Sequence, residues 1–580
     1  MASIPFTEGS TSPPLIAGGP SQLLVNIIDG RAHTQPESLY AIIPNSFTTY
    51  SEGFRKVSYS QLASAINGAA AILSNELPPT GKSEVLAYVG PNDIGYIVLT
   101  LAAVKAGHKL LLLSPRNTKA DHASLFEKAN CTTLLTLPRP YSPTINTILE
   151  AVEPKPRIIH IPIIFQLLEL PHPHFPYPKT FESAKNEALV LVHTSGTTST
   201  PKLVTYTHGF AAAYARSITE PPPEGYMNLT TLFQGCRAFT TFPFFHAGAI
   251  QLSMLNAIPN QTIMVCSLAA VPPSAQGIVD ALKHVDVEVV NMVAPFMEQM
   301  AKSPEMLEFV LLRVRGVTFG GADVSSEAAN AFLESGVNVA GFNGSTETAP
   351  YPLIRPKESW DPEDLKYIQP HPVCGMQFQP TENPEFFEGV ILRNPDPQKT
   401  QPVFHIFPEL QEFRTRDLFS PHPMKEGLWL YRGRADDMII SAAGELCNPI
   451  PFEQGLSRLP QVKDCIMLGT GRYQKALLIE PAEPVAGREF EAFLDGIWDT
   501  VEACNQEYPE VNRIKSDHVM ITQPDLPLKR AGKGTVQRAP TLEMYKERIE
   551  RLYEAAGDGV AQNAEPYQIH MESKEMGGSG

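Results

Sequence analysis

Apolar positions along the first 430 or so residues follow two patterns that alternate. In Ser60-Gln-Leu-Ala-Ser-Ala-Ile the serine offers an N-cap, and Leu62, Ile66, Ala69 and Leu73 recur at helical spacing on one face, which predicts a helix laid on a sheet. Residues 93–106 predict a second helix closed by Gly107. The unbroken apolar run 110–113 behind it predicts a strand buried on both faces. Further buried strands are predicted at 188–192, 289–293 and 317–320, the last followed by a helix over about 326–335 and a strand near 337–340. Alternation of this kind predicts an α/β fold with a parallel sheet.

From about Asp436 the texture changes. Short apolar runs at 465–469 and 475–480 and a helix over about 489–505 are enough for a small α+β domain. The expected organisation is a loose lead-in over 1–20, a large α/β body over 21–435, a small mobile α+β lid over 436–555 and a polar tail over 556–580 that ends Gly-Gly-Ser-Gly. With 580 residues, two or more domains are the expectation. The 54 prolines, roughly twice the usual share, favour loops and disfavour an all-helical bundle.

Charge narrows the partners. With 46 basic against 62 acidic side chains the formal charge is −16, the wrong sign for tracking nucleic acid or an anionic lipid surface. The seven cysteines are odd in number, scattered and without a CxxC pair, so neither a disulfide framework nor a zinc site is expected and a cytoplasmic location is. The most apolar stretch, 96–113, is broken by Lys105, Gly107, His108 and Lys109, so no membrane span is expected.

The sharpest chemical feature is 188–202, a buried strand that runs into His-Thr-Ser-Gly-Thr-Thr-Ser-Thr-Pro-Lys. Backbone N–H groups, hydroxyls and one lysine suit polyphosphate oxygens, although the spacing is not that of the GxxxxGK[ST] loop. Four more segments follow in order: Pro243-Phe-Phe-His246-Ala-Gly, Asn343-Gly-Ser-Thr-Glu347-Thr, Phe413-Arg-Thr-Arg-Asp417-Leu running on to Tyr431-Arg-Gly-Arg434-Ala-Asp436-Asp, and Leu526-Pro-Leu-Lys-Arg-Ala-Gly-Lys533-Gly-Thr. By itself the Gly-Ser-Thr-Glu segment also reads as a helix cap.

Together these segments resemble the adenylate-forming enzymes, which comprise acyl- and aryl-CoA ligases, firefly-type luciferases and peptide-synthetase adenylation domains. The likeness spans roughly residues 20–550. Ser199, Asn343 and Arg416 stand where the family usually has glycine, tyrosine and glycine. The subfamily texture of Gly444-Glu-Leu-Cys-Asn-Pro, Gly469-Thr-Gly-Arg and Lys533-Gly-Thr-Val is similar to fungal peptide-synthetase-like carboxylate reductases, with neither a phosphopantetheine attachment motif nor a GxGxxG fingerprint in the chain.

The resemblance implies ATP-dependent activation of a small carboxylic acid to an acyl-adenylate, with Mg²⁺ as cofactor. Transfer to phosphopantetheine on a carrier domain outside this chain would follow. It implies ATP contacts from Thr194, Ser195, Gly196, Thr197, Thr198, Asn343, Gly344, Ser345, Thr346, Asp417 and Arg434, with Lys202, His246 and Lys533 as catalytic residues. Glu347 and Thr198 serve the metal, Asp436 is the hinge, and His246, Ala247, Ile250, Gly320, Phe342, Pro350 and Tyr351 line the acid pocket. Histidine where amino-acid-activating relatives carry aspartate disfavours an α-amino acid. A second reading turns Phe244, Phe245, Phe342 and Tyr351 toward a quaternary ammonium acid, against core roles for Phe244 and Phe245. The alternatives to a carrier-loading domain are a free-standing acyl- or aryl-CoA ligase and a nucleotide-binding protein without catalysis; a monomer is expected.

Overall fold

The computed structural model describes residues 22–77, 82–194, 201–230, 234–320, 324–334, 336–357, 362–381, 383–442, 446–485, 487–530 and 536–557. These form two compact units, one within Met1–Pro380, Phe387–Thr415 and Phe419–Tyr431, the other within Thr381–Phe386, Arg416–Leu418 and Arg432–Gly580.

The first unit is built on two largely parallel sheets. One has seven strands in the order Asn338–Phe342, Gly316–Gly320, Val289–Val293, Arg237–Thr240, Ile263–Cys266, Leu39–Pro44 and Phe54–Ser58, the last antiparallel to its neighbour. The other has six, ordered Arg157–His160, Thr133–Thr136, Val85–Tyr88, Lys109–Leu112, Ala188–Thr194 and Lys202–Thr207, again antiparallel only at the final pair. One core joins both sheets, with Ala41 and Ile43 from the first, Leu86, Leu110 and Val190 from the second, and Ile97 and Leu101 between them. Helix Gly95–Lys105 is buried along its whole length, which explains why its sequence is apolar on every side. Gly107, at φ +82, ends that helix in the left-handed conformation that costs glycine nothing.

The α/β alternation is as the apolar pattern predicts, with one local correction. Helix Tyr59–Glu76 is capped by Ser58, not Ser60: Ser58 Oγ accepts from Gln61 N at 3.2 Å, and Gln61 Oε1 accepts from Ser58 N at 2.9 Å. The reciprocal pair satisfies two end donors at once, which Ser60 has no residue to match. Leu62, Ile66, Ala69 and Leu73 are all buried on the predicted face.

The second unit holds the three-stranded sheet Val462–Leu468, Lys475–Pro481 and Ile514–Ile521. Alternate side chains serve two cores. Cys465, Met467, Leu477 and Ile479 pack with Phe452, Ile497 and Val501, and Ile466, Leu468, Ala476 and Leu478 with Tyr545 and Tyr553. The helices Ile450–Leu456 and Phe490–Gln506 thus cover one face and Arg538–Ala555 the other. Among the described residues no helix is long and apolar enough to cross a membrane.

Candidate active site

Strand Ala188–Thr194 pairs antiparallel with Lys202–Thr207 in a register that sets Thr194 opposite Lys202. The two residues therefore flank positions 195–200 in the chain, and Lys202 is exposed. Ser195, Gly196, Thr197, Thr198 and Ser199 lie outside the described residues. Just before Thr194, His193 Nε2 accepts from Ser114 N and Asn117 Nδ2, both at 3.3 Å, which leaves the ring proton on Nδ1. Burial pushes this imidazole down to about 4, so it is neutral at physiological pH.

Pro243-Phe-Phe-His leads into the short helix Ala247–Ile250, whose N-cap is His246 itself, with Nδ1 accepting from Gly248 N at 3.1 Å. An acceptor Nδ1 assigns the proton of the neutral ring to Nε2, the form that donates to a carboxylate. Ala247 and Ile250 are buried in the main core, as is Phe244, with Phe245 packed against it. Phe244 is thus a core side chain, and half-buried Phe245 packs against the same core. Phe342 instead joins a small separate cluster with Phe242, Ala249, Leu252 and Val293.

Gly320 ends its strand directly beside Phe342. A Cβ there would meet the Phe342 Cβ at 3.4 Å and the Phe242 Cζ at 3.7 Å, ordinary contact distances that place Gly320 against both residues. Tyr351 packs elsewhere, among Leu353, Val403 and Phe404.

Asn343-Gly-Ser-Thr-Glu is not a helix cap. It forms a two-pair hairpin, Gly344 opposite Pro350 and Ser345 opposite Ala349, extended by Tyr351 N donating to Asn343 O at 2.8 Å. Only glycine fits at 344, because a Cβ would come within 2.3 Å of Ala349 O. Side-chain bonds shape the turn: Ser345 Oγ accepts from Glu347 N and Thr348 N, both at 3.2 Å, and Thr348 Oγ1 accepts from Ser345 N at 2.9 Å. Hydroxyls prefer such local bonds to helix formation.

Two buried residues that motif reading missed touch this hairpin. Tyr206 OH donates to Thr346 O at 2.7 Å, and Gln251 Nε2 donates to Tyr206 OH at 2.8 Å and, more weakly, to Ser345 O at 3.4 Å. The only trace in the sequence is a lone glutamine inside the apolar segment after His246.

Among the described residues no group of three or more His, Cys, Asp or Glu could hold a metal ion. A magnesium ion bound through one carboxylate, nucleotide phosphates and water needs no such group, and Glu347, half-buried on the hairpin turn, fits that single role.

In the second unit Arg416 Nη1 donates to Asp436 Oδ1 at 2.9 Å, and Arg434 Nη2 lies 3.3 Å from Asp436 Oδ2. Asp417 follows Arg416 on strand Glu412–Pro421. Lys533 lies outside the described residues; on either side of it Arg530 and Val536 form an antiparallel bridge and Gln537 N donates to Lys529 O at 2.7 Å. Arg530 is held by Asp464 and Glu480, each at 2.7 Å. A guanidinium engaged on both sides is poorly suited to act as a swinging cation.

Residues 31–379 match the family described as AMP-binding enzyme, and residues 436–557 match the AMP-binding enzyme C-terminal domain. The chain is 32% identical over 552 residues to a carboxylic acid reductase of Neurospora crassa, covering 94% of this chain and 52% of the relative. It is 27% identical over 510 residues to an adenylate-forming reductase of Serpula lacrymans, covering 84% and 45%. The chain thus spans about half the length of these relatives. In fold it is similar to an anthranilate CoA ligase solved with anthranoyl-AMP, at TM-score 0.68, 14% identity and coverage of 92% and 99%. It is likewise similar to an O-succinylbenzoate coenzyme A synthetase of Bacillus subtilis solved with AMP, at 0.65, 18%, 88% and 97%.

Proposed function

Because the chain belongs to the AMP-binding enzyme family, the adenylate-forming enzymes, we propose that it joins ATP and a carboxylic acid into an acyl-adenylate and then passes the acyl group to the phosphopantetheine thiol of a carrier domain. The observation that carries the reading is the convergence in the first unit: the strand that begins at Lys202, opposite Thr194, also contacts, through Tyr206, the hairpin bearing Thr346 and Glu347. Likeness to the fungal reductases supports placing the chain as the acid-activating part of a longer reductase; a cytoplasmic location and NADPH as reductant complete the proposal.

In this reading a carboxylate oxygen attacks the α-phosphorus, the bond to the bridging oxygen breaks and pyrophosphate leaves; no general base is needed, since the nucleophile is already ionised. Catalysis is then positioning and charge neutralisation. Thr194, the hydroxyls of Ser195, Thr197 and Thr198 and the backbone around Gly196 cradle the phosphates, while Lys202 and Lys533 offset their charge. Glu347 and Thr198 would hold a magnesium ion, which when bound would supply positive charge beside the α-phosphate. His246 donates from Nε2 to the acid, Asp417 accepts from the ribose hydroxyls with Arg434 alongside, and Asn343, Gly344 and Ser345 flank the adenine. Phe242 and Phe342 beside Gly320 give an apolar lining among the described residues, which favours neutral and aromatic acids. Residues 21–435 act as the adenylating body, and residues 436–555 as a lid turning at Asp436.

The test is acid-dependent exchange between ATP and pyrophosphate over a panel of aryl, aliphatic, keto and amino acids, followed by thioester formation with free CoA or with a carrier protein. Exchange with a non-amino acid and loading of the carrier alone support the reading. Thioester with free CoA makes the chain a CoA ligase, and exchange at the buffer rate for every acid leaves a nucleotide-binding protein without catalysis.

A further inference from the structure

The hairpin that carries Glu347 is two residue pairs long, too short to hold its own place. The bonds among Ser345, Glu347 and Thr348 set the shape of its turn but not where the turn sits. Position comes from outside, through the outward backbone carbonyls of Ser345 and Thr346. The Tyr206 ring is fully buried and stacked on Phe210 at 4.1 Å and 5°, so its hydroxyl has little freedom. Gln251, 4% exposed, opens the π-helical turn Gln251–Asn256 immediately after the helix capped by His246. Such turns are rare and frequent at functional sites. Tyr206 lies four residues beyond Lys202 on one strand. One buried hydroxyl therefore ties the phosphate-loop strand and the His246 segment to the residue preceding Glu347.

We propose that Tyr206 and Gln251 are positioning residues that aim the Glu347 carboxylate at nucleotide-bound magnesium, an inference that rests on the adenylation reading above. Gln251 donates to the phenol oxygen, which orients the phenol O–H toward Thr346 O. Burial outweighs the opposing pull of the Gln251 bond and pushes the phenol well above its ordinary range, so it stays a donor. Removing the hydroxyl leaves a carbonyl without its donor and lets the turn shift, and with it the carboxylate.

The test is calorimetric titration of the whole chain with ATP, once with excess MgCl2 and once with EDTA; the readout is the gain in affinity that magnesium confers. Tyr206→Phe should cut that gain by roughly tenfold or more, the scale seen when an outer partner of a metal ligand is lost, while metal-free ATP affinity stays within about threefold. Gln251→Met should move the gain in the same direction by less. In exchange assays both should lower kcat at limiting magnesium with little change in the KM for the acid. An unchanged magnesium gain in Tyr206→Phe, or an equal loss of metal-free affinity, overturns the inference. If Tyr206→Phe does not fold, Gln251→Met is judged by the same two outcomes. A wild-type chain that binds no ATP overturns the adenylation reading together with this inference, whereas normal wild-type behaviour with an unmoved variant overturns the inference alone.

Discussion

Arg416 reaches Asp436 at 2.9 Å from a backbone held at φ +61, the left-handed region that non-glycine residues rarely adopt. The family usually has glycine here, and the arginine keeps a glycine-like conformation while adding a guanidinium that, with Arg434, brackets the aspartate. Left-handed backbone costs a side-chain-bearing residue about 1–2 kcal/mol, and an ion pair exposed at both ends returns about 0–1 kcal/mol. Arg416→Gly should therefore be more stable than Arg416→Ala by about 1 kcal/mol, because both lose the ion pair and only alanine keeps the strain. Urea unfolding of the two variants decides it. Equal stability would mean that the backbone at 416 is not strained.

Lys533→Ala should lower exchange by about 100-fold or more while leaving ATP affinity nearly unchanged, since its charge is needed only as the adenylate forms. Arg530 cannot stand in, being held by Asp464 and Glu480. By contrast, Asp417→Ala should weaken ATP binding itself by about tenfold or more, the scale of a charge-assisted hydrogen bond. Calorimetry against exchange kinetics separates the two, and a Lys533 variant retaining more than a tenth of the exchange rate would move that role elsewhere.

His246→Asp should depress turnover of neutral aromatic acids and admit some acids that carry an ammonium group. The reason is electrostatic: an imidazole N–H donates to a carboxylate, whereas aspartate repels it and pairs with a cation. Exchange with paired deamino and α-amino acids reads the shift. Preference of the wild-type chain for the α-amino member would rule out this pocket assignment.

His122 is fully buried, among the described residues neither ring nitrogen has a hydrogen-bond partner, and burial pushes its imidazole down to about 4. Its folded pKa is thus below the unfolded value near 6.5, so between those values the unfolded chain holds a proton that the native state lacks. Its contribution to stability is present above about pH 6.5 and is lost as pH falls toward 4. His122→Leu, similar in volume, should stabilise the first unit, and by on the order of 1–2 kcal/mol more at pH 5 than at pH 7.5. A pH-independent difference between variant and wild type in urea midpoints would show that the imidazole is not buried as a neutral ring.

The α/β alternation was readable from the sequence because a strand covered on both faces must be apolar throughout and a helix between sheets apolar all round; residues 110–113 and Gly95–Lys105 satisfy this locally. The chemical segments were readable for a related reason, since phosphate-binding loops need hydroxyls, glycine and lysine close together in the chain. Tertiary structure decided what those segments attach to. The choice of Ser58 over Ser60 as cap is itself local, set by Gln61 three residues after Ser58, and was missed rather than hidden. Gly-Ser-Thr-Glu is compatible with a helix or a turn until Ala349 and Pro350 close the hairpin. Ala247 and Ile250 belong to the main core, whereas Ala249 and Leu252 pack in the cluster with Phe342, a division set by which face of the segment meets which neighbour. The bond from Tyr206 to Thr346 joins positions 140 residues apart, and no local propensity of either residue encodes it. A buried hydroxyl takes whatever acceptor packing brings to it, and that choice is made only when the sheets and the hairpin come together.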